Sequence, residues 1–166
     1  MVEIKKMVQD KLNEQINREL YSGYLYLSMA AYFESMNLKG FASWMKAQAE
    51  EEKGHAMRMY DYVYERGGKV SLLDIEAPPR EWKSPADAFK HTYEHEKKVT
   101  QMINVLSELA VSEKDRATAV FLQWFITEQV EEEDTALNIV EKLKIIGSSN
   151  QGLTMLDREL SQRKQK

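Results

Sequence analysis

Gly67-Gly68-Lys69-Val70-Ser71-Leu72-Leu73-Asp74-Ile75-Glu76-Ala77-Pro78-Pro79-Arg80-Glu81-Trp82-Lys83 is the one long interruption of the chain's helical periodicity. On either side of it apolar residues recur every three or four positions, the period of an amphipathic helix. Within it that period is lost. Gly67-Gly68 supplies a left-handed stop for the helix that precedes it. Fully extended, ~17 residues reach ~56 Å, whereas a helix of ~28 residues is ~42 Å long. The stretch can therefore carry the chain along a whole helix, and the helices before and after it can run parallel.

Working outward, the first helix is expected from about Glu3 to about Ser35, with the stripe Val8, Leu12, Ile16, Glu19, Gly23, Tyr26 and Ala30. The second is expected from about Leu38 to about Arg66, with the stripe Phe41, Met45, Gln48, Glu52, His55, Met59 and Tyr62. Beyond the irregular stretch, Ser84-Pro85 with Asp87 reads as an N-cap followed by proline in the first turn. The third stripe is Phe89, Thr92, Glu96, Val99, Ile103, Leu106 and Ala110. Ser112 with Asp115 reads as the capping signal that starts the fourth helix. Its stripe is Thr118, Leu122, Phe125, Gln129, Glu132, Ala136, Ile139 and Leu143, and Gly147-Ser148-Ser149-Asn150 breaks it. A short fifth helix carries Leu153, Leu156 and Leu160. Short links make the first and second helices antiparallel, and likewise the third and fourth. The fold class is all-α: a four-helix bundle with one long crossover and a short fifth C-terminal helix, one domain over residues 1–166.

Three prolines and seven glycines in 166 residues leave long stretches free for helix. A net charge of -4 argues against nucleic acid or an anionic membrane as partner, and the basic tail Arg163-Lys164-Gln165-Lys166 is too short to reverse it. No cysteine is present. Disulfides, thiolate zinc sites, iron–sulfur clusters and thiol nucleophiles are thereby excluded. Met1-Val2-Glu3-Ile4-Lys5-Lys6 lacks the apolar centre of a signal peptide, and no apolar run approaches the ~18 residues of a membrane span. The expected location is cytoplasmic.

Glu19, Glu52, Glu96 and Glu132 each occupy an apolar stripe of a different helix. Burying unpaired carboxylates costs several kcal/mol each or more, so four in one core need a shared counter-charge. Glu52-x-x-His55 places an imidazole on the same face as one of them. Such a pair alone is a weak signal; its coincidence with three further inward carboxylates is a strong one. Carboxylates with one imidazole suit iron or manganese better than copper, and a bridging carboxylate would make a di-metal site. A structural bundle whose acidic stripe residues face water is the non-enzymatic alternative.

The stretches Asn13-Glu14-Gln15-Ile16-Asn17-Arg18-Glu19-Leu20-Tyr21-Ser22, Glu51-Glu52-Lys53-Gly54-His55-Ala56, His95-Glu96, Phe121-Leu122-Gln123-Trp124-Phe125 and Glu128-Gln129-Val130-Glu131-Glu132-Glu133 resemble non-haem prokaryotic ferritin. The resemblance spans essentially the whole chain and implies a ferritin-like bundle that stores iron. It implies a ferroxidase centre in which Glu19, Glu52 and His55 hold one Fe, and Glu52, Glu96 and Glu132 hold the other. Gln129 would be a hydrogen-bonding neighbour, and Tyr26 a tyrosine beside the di-iron site that can take part in electron transfer. A third iron site would use Glu51, Glu128 and Glu131 with Glu132 shared; read without the resemblance, these acids are a solvated face.

The implied substrates are Fe(II) with O₂ or H₂O₂. The implied assembly is a homo-oligomer, a hollow 24-mer shell of roughly 24 subunits that holds the ferric mineral. Lys53 stands where bacterioferritins place a haem-ligating methionine, so no haem is expected. Gln129-x-x-Glu132 replaces the second E-x-x-H of bacterioferritins and rubrerythrins. A rubrerythrin-like di-iron or di-manganese oxidase or peroxidase that never mineralises is the enzymatic alternative. His95 reads as a flanking residue, His91 as a surface residue and Trp124 as packing. Tyr24, Leu25, Met29, Tyr32 and Phe33 suggest a first helix that is apolar on more than one face.

Overall fold

The computed structural model describes residues 3–164. Met1, Val2, Gln165 and Lys166, which belong to the N-terminal segment and the basic tail read above, lie outside the described residues. Five helices follow in order: α1 (Lys6–Ser35), α2 (Lys39–Glu65), α3 (Pro85–Ser112), α4 (Arg116–Ile146) and α5 (Asn150–Leu160). The described residues contain no strand. The first helix begins at Lys6 rather than Glu3.

Three helices end in the same way. Asn37, Gly67 and Lys114 take the left-handed conformation, with φ of 58°, 71° and 58°. In each case the next amide bonds back five residues: Leu38 to Phe33, Gly68 to Val63, and Asp115 to Ala110. This double turn satisfies the last carbonyls of each helix. Glycine takes the conformation freely, whereas lysine does so against its steric preference. The start of α4 differs from expectation. Ser112 is the last residue of α3, and its hydroxyl donates back to the Leu109 carbonyl at 2.9 Å. Asp115 alone is the cap, accepting from the Thr118 amide at 3.1 Å. Arg66 from the end of α2 ion-pairs with Asp115 at 3.1 Å and ties the two elements together.

Phe41 meets Phe89 edge to face, and Glu52 lies beside Glu96, so α2 and α3 run parallel. The crossover joins them along α1. Gln9, Asn13 and Asn17, spaced four apart on one face, serve its backbone. Gln9 accepts from the Lys69 amide at 2.9 Å, Asn13 accepts from the Ser71 amide at 3.0 Å, and Asn17 donates to the Asp74 carbonyl at 2.9 Å. Ser28 donates to the Pro79 carbonyl at 2.6 Å further on. A segment without ladder or helix bonds thus finds its partners in side chains.

The apolar core has two parts. One contains Leu25, Met29, Phe33, Phe41, Met45, Phe89 and Leu143 and is closed by Leu156 and Leu160 of α5. The other contains Val8, Leu12, Ile16, Met59, Val99, Ile103 and Leu122. Between them in sequence register, on all four long helices, lies a buried polar layer: Glu19, Gln48, Glu52, His55, Glu96, Gln129 and Glu132. Of the residues that suggested an outward apolar face, Leu25, Met29 and Phe33 are core. Tyr32 is half-buried against Trp82, and Tyr24 alone of the five is exposed, at 49 %.

α5 docks on the start of α2. Leu38 caps α2 without a side-chain bond. Asp157 of α5 supplies it instead, its Oδ1 accepting from the Phe41 amide at 2.9 Å. A carboxylate at a helix N-terminus also meets the positive end of the helix dipole. Gly40 allows this approach, since a Cβ there would sit 1.7 Å from the Asp157 carbonyl oxygen.

Candidate metal centre

The polar layer sorts into three groups whose donor atoms lie within 4.8 Å of one another: Glu19 with Glu52 and His55, Glu52 with Glu96 and Glu132, and His55 with Glu128 and Glu132. Glu52, His55 and Glu132 each belong to two of them. The α1–α2 hairpin supplies Glu19, Glu52 and His55; the α3–α4 hairpin supplies Glu96, Glu128, Gln129 and Glu132. His55 Nδ1 lies 3.3 Å from Glu52 Oε2 and 3.7 Å from Glu19 Oε2.

The hydrogen bonds show a pattern. Gln15 donates to Glu19 Oε1 at 3.1 Å. Gln48 donates to Glu52 Oε1 at 2.9 Å and to Glu132 Oε2 at 2.5 Å. Each of these carboxylates has one oxygen anchored by a glutamine amide. The other oxygens, Glu19 Oε2, Glu52 Oε2 and Glu132 Oε1, are buried without a hydrogen-bond partner, as is His55 Nδ1. Buried polar atoms are normally satisfied. Three carboxylate oxygens and one imidazole nitrogen left open within one layer are the ligand atoms a hard or borderline cation takes, once the imidazole gives up its proton. Glu96 differs: Tyr26 donates to its Oε1, and Gln129 donates to its Oε2 at 3.0 Å. Tyr26 lies on the stripe of Glu19 but serves Glu96 across the bundle.

The electrostatics describe a centre that holds protons when no other positive charge is present. Burial is the largest influence on Glu52 and, with the charge of Glu96, raises its carboxyl well above the usual range. Burial, then the charge of Glu132, raises Glu96 to about 8. Burial also leads for Glu132, with Glu51 and Glu128 adding to it; the charge of His55 and the Gln48 bond oppose, and the result is about 7. For Glu19 burial is opposed by the neighbouring imidazolium of His55, and the net direction is down. His55 is pushed down by burial, but Glu19 and Glu52 outweigh this and raise it to about 11. Burial and the charge of Glu96 lift the Tyr26 phenol well above its ordinary range, so it remains a donor.

The folded values of Glu96, Glu132 and His55 lie above 4.5, 4.5 and 6.5, so these groups hold more protons in the folded metal-free chain than in the unfolded one, and His95, lowered to about 4, opposes them only below about pH 6.5. The stability these groups contribute is complete below their unfolded values and is lost as pH rises through the folded ones. Glu19, lowered from 4.5, acts only in more acidic solution. The melting temperature of metal-stripped protein is therefore expected to fall from about pH 5 to about pH 8. Calorimetry at a series of pH values checks this; a melting temperature that rises across that window refutes it.

The remaining predicted residues fall as follows. Glu128 is buried and shares a group with His55 and Glu132, whereas Glu51 and Glu131 join none of the three groups. Glu51 instead ion-pairs with Arg163. His95 joins no ligand group either; its Nε2 shares a hydrogen bond of 2.8 Å with Ser22, and burial, its largest influence, lowers it to about 4. His91 is not a surface residue: it is half-buried, and its Nδ1 accepts from the Trp82 indole at 2.9 Å. Trp124 packs edge-on against His55 with ring centres 5.4 Å apart, and the Arg58 guanidinium lies 3.8 Å from its ring centre. With Glu50, Glu51 and Glu128 they line a cleft of about 270 Å³ beside His55. Gln15 and Gln48 had no assigned role in the sequence. Their signal was the spacing, since each stands four residues before a ligand-group glutamate and so shares its face.

Residues 9–146 match the ferritin-like domain family. The bacterial non-heme ferritin of Bacteroides fragilis is 45 % identical over 160 residues, covering 96 % of this chain and 99 % of that protein. That of Escherichia coli O157:H7 is 39 % identical over 158 residues, covering 95 % and 96 %. Among solved structures, the open pore ferritin from the hyperthermophilic archaeon Archaeoglobus fulgidus superimposes with a TM-score of 0.96 at 56 % identity, covering 97 % of this chain and 99 % of that one. Its engineered closed form gives a TM-score of 0.97 over 98 % and 99 %. With the helix order, the crossover and the layered carboxylates in agreement, the chain belongs to the ferritin family.

Proposed function

We propose that the chain is a non-haem ferritin subunit of the cytoplasm, which oxidises Fe(II) with O₂ or H₂O₂ inside its bundle and stores the product as ferric oxyhydroxide in a 24-mer shell. One observation carries this reading: three buried carboxylates and one imidazole each leave a donor atom open in the same layer. Among the described residues no helix is long and apolar enough to cross a membrane. Exposed Ile145 and Met155 near the α4–α5 junction suit burial against further copies of the chain.

The substrate ions would share Glu52. Glu19, Glu52 and His55 would hold one Fe(II), and Glu52, Glu96 and Glu132 the other. Each ion gives one electron, and O₂ takes both with two protons to leave H₂O₂. Gln15 and Gln48 keep the glutamates oriented before any ion arrives, so little reorganisation is needed on binding. Gln129 and Tyr26 hold Glu96, and Tyr26 keeps its own proton directed at that carboxylate. Glu51, Glu128 and Glu131, with Glu132 shared, would form the third iron position.

Aerobic iron loading tests the reading. The native protein is expected to oxidise Fe(II) and to retain far more iron than its sites can hold, in a particle of roughly twenty-four subunits. Turnover without retained iron, or a particle no larger than a dimer, overturns the storage function. Absence of Fe(II) oxidation overturns the centre.

A further inference from the structure

Arg163 lies three residues beyond the end of α5 and is nevertheless held on every side. Its Nη2 is 3.0 Å from Glu51 Oε2 and donates to Gln48 Oε1 at 2.8 Å. Its Nη1 donates to the Trp44 carbonyl at 3.2 Å, and its guanidinium lies 4.3 Å from the centre of the Trp44 ring. The side chains of Arg163 and Glu51 are only 16 % and 10 % exposed. The other oxygen of Glu51, Oε1, is buried without a hydrogen-bond partner. Arg163 also lines a cleft with Glu51, Glu131, Glu132 and Thr135. A permanent positive charge therefore sits on the carboxylate that a third iron would use.

The geometry points to Arg163 as a resident counter-ion of the third iron position, which a third cation must displace from Glu51 before that carboxylate can bind it. The inference rests on the proposed third position. Guanidinium keeps its proton at any ordinary pH, so only competition or movement of the tail can release it. An arginine that is largely desolvated and also held by Gln48 and the Trp44 carbonyl resists exchange more than a surface pair does. Release has a second consequence through Gln48. Its carbonyl faces Arg163 while its amide grips Glu52 and Glu132. Once Arg163 leaves, the Gln48 amide loses one of the three contacts that orient it. Occupation of the third position would thus be felt at the bridging carboxylate.

Anaerobic equilibrium dialysis of the assembled, metal-stripped protein against Fe(II) tests this without any oxidation step. It counts ions per subunit and measures their affinities. Arg163→Gln is expected to bind the third Fe(II) at least about tenfold more tightly than the native protein, and Arg163→Lys, which keeps the charge, to stay closer to native. Glu51→Gln should weaken the third ion, and adding it to Arg163→Gln should erase the gain. A third-ion affinity unchanged in Arg163→Gln, with the third ion lost in Glu51→Gln, overturns the role of Arg163 and leaves the third position standing. A third ion indifferent to Glu51→Gln, or absent from both native protein and Arg163→Gln, overturns the third position itself.

Discussion

Glu52→Ala is expected to oxidise Fe(II) at least about a hundredfold more slowly than the native protein, since even indirect partners of metal ligands cost up to that factor. Glu52 is fully buried and belongs to both the Glu19–His55 group and the Glu96–Glu132 group. Alanine would leave only Glu19 and His55 of the first group, and would leave Gln48 donating only to Glu132 of the two carboxylates. Neither ion position would keep three donors. The same substitution removes a buried carboxyl whose charged form is disfavoured by its surroundings. The metal-free variant should therefore melt no lower than the native protein near neutral pH, apart from the small cavity left behind. Loss of oxidation with the fold retained separates a ligand from a structural residue. Stopped-flow oxidation beside calorimetry gives both readings, and native-like kinetics would sink the assignment.

Gly40→Ala should undock α5. The added Cβ would meet the Asp157 carbonyl oxygen at 1.7 Å and its carbon at 2.6 Å. These are backbone atoms, so no rotamer change relieves the clash. Separation would break the Phe41 amide bond to Asp157 and expose Leu156 and Leu160. Overpacking and lost burial together are expected to cost ~3 kcal/mol or more. Hydrogen exchange should show α5 amides losing protection while those of α1 to α4 keep it. Gly54→Ala is the control: nothing lies within 4 Å of its added Cβ, and alanine gains ~1 kcal/mol of helix propensity there. Equal α5 protection in the Gly40 variant and native protein would refute the docking role.

The helices and the inward carboxylates were readable from the sequence because both follow from one period. Glu19, Glu52, Glu96 and Glu132 share a phase with leucines, methionines and phenylalanines that turn out to be buried. The crossover was readable from length alone. What escaped was mostly non-local. Asp157 caps a helix 116 residues earlier in the chain, and Arg163 reaches a glutamine 115 residues away. No spacing rule registers such contacts. Lys114 in a left-handed turn ran against residue preference, and Ser112 offered a better-looking cap than its backbone position allowed. Glu51 and Glu131 sit ~100° from their inward neighbours, at the edge of the phase where side-chain direction depends on the surroundings. His91 is covered by Trp82 of the crossover, a segment whose path had no periodic signal.

The division of the centre between two hairpins has a mechanical meaning. α1 with α2, and α3 with α4, are each closed by a local turn, but two of the three donor groups straddle the seam between them. An ion bound by Glu52 together with Glu96 and Glu132 would be a rivet through that seam, adding its binding free energy to the cohesion of the bundle. The cargo would then tighten its own handler: the bundle would be stiffest while iron is aboard and would relax, with its carboxyls reprotonated, each time the iron moves on.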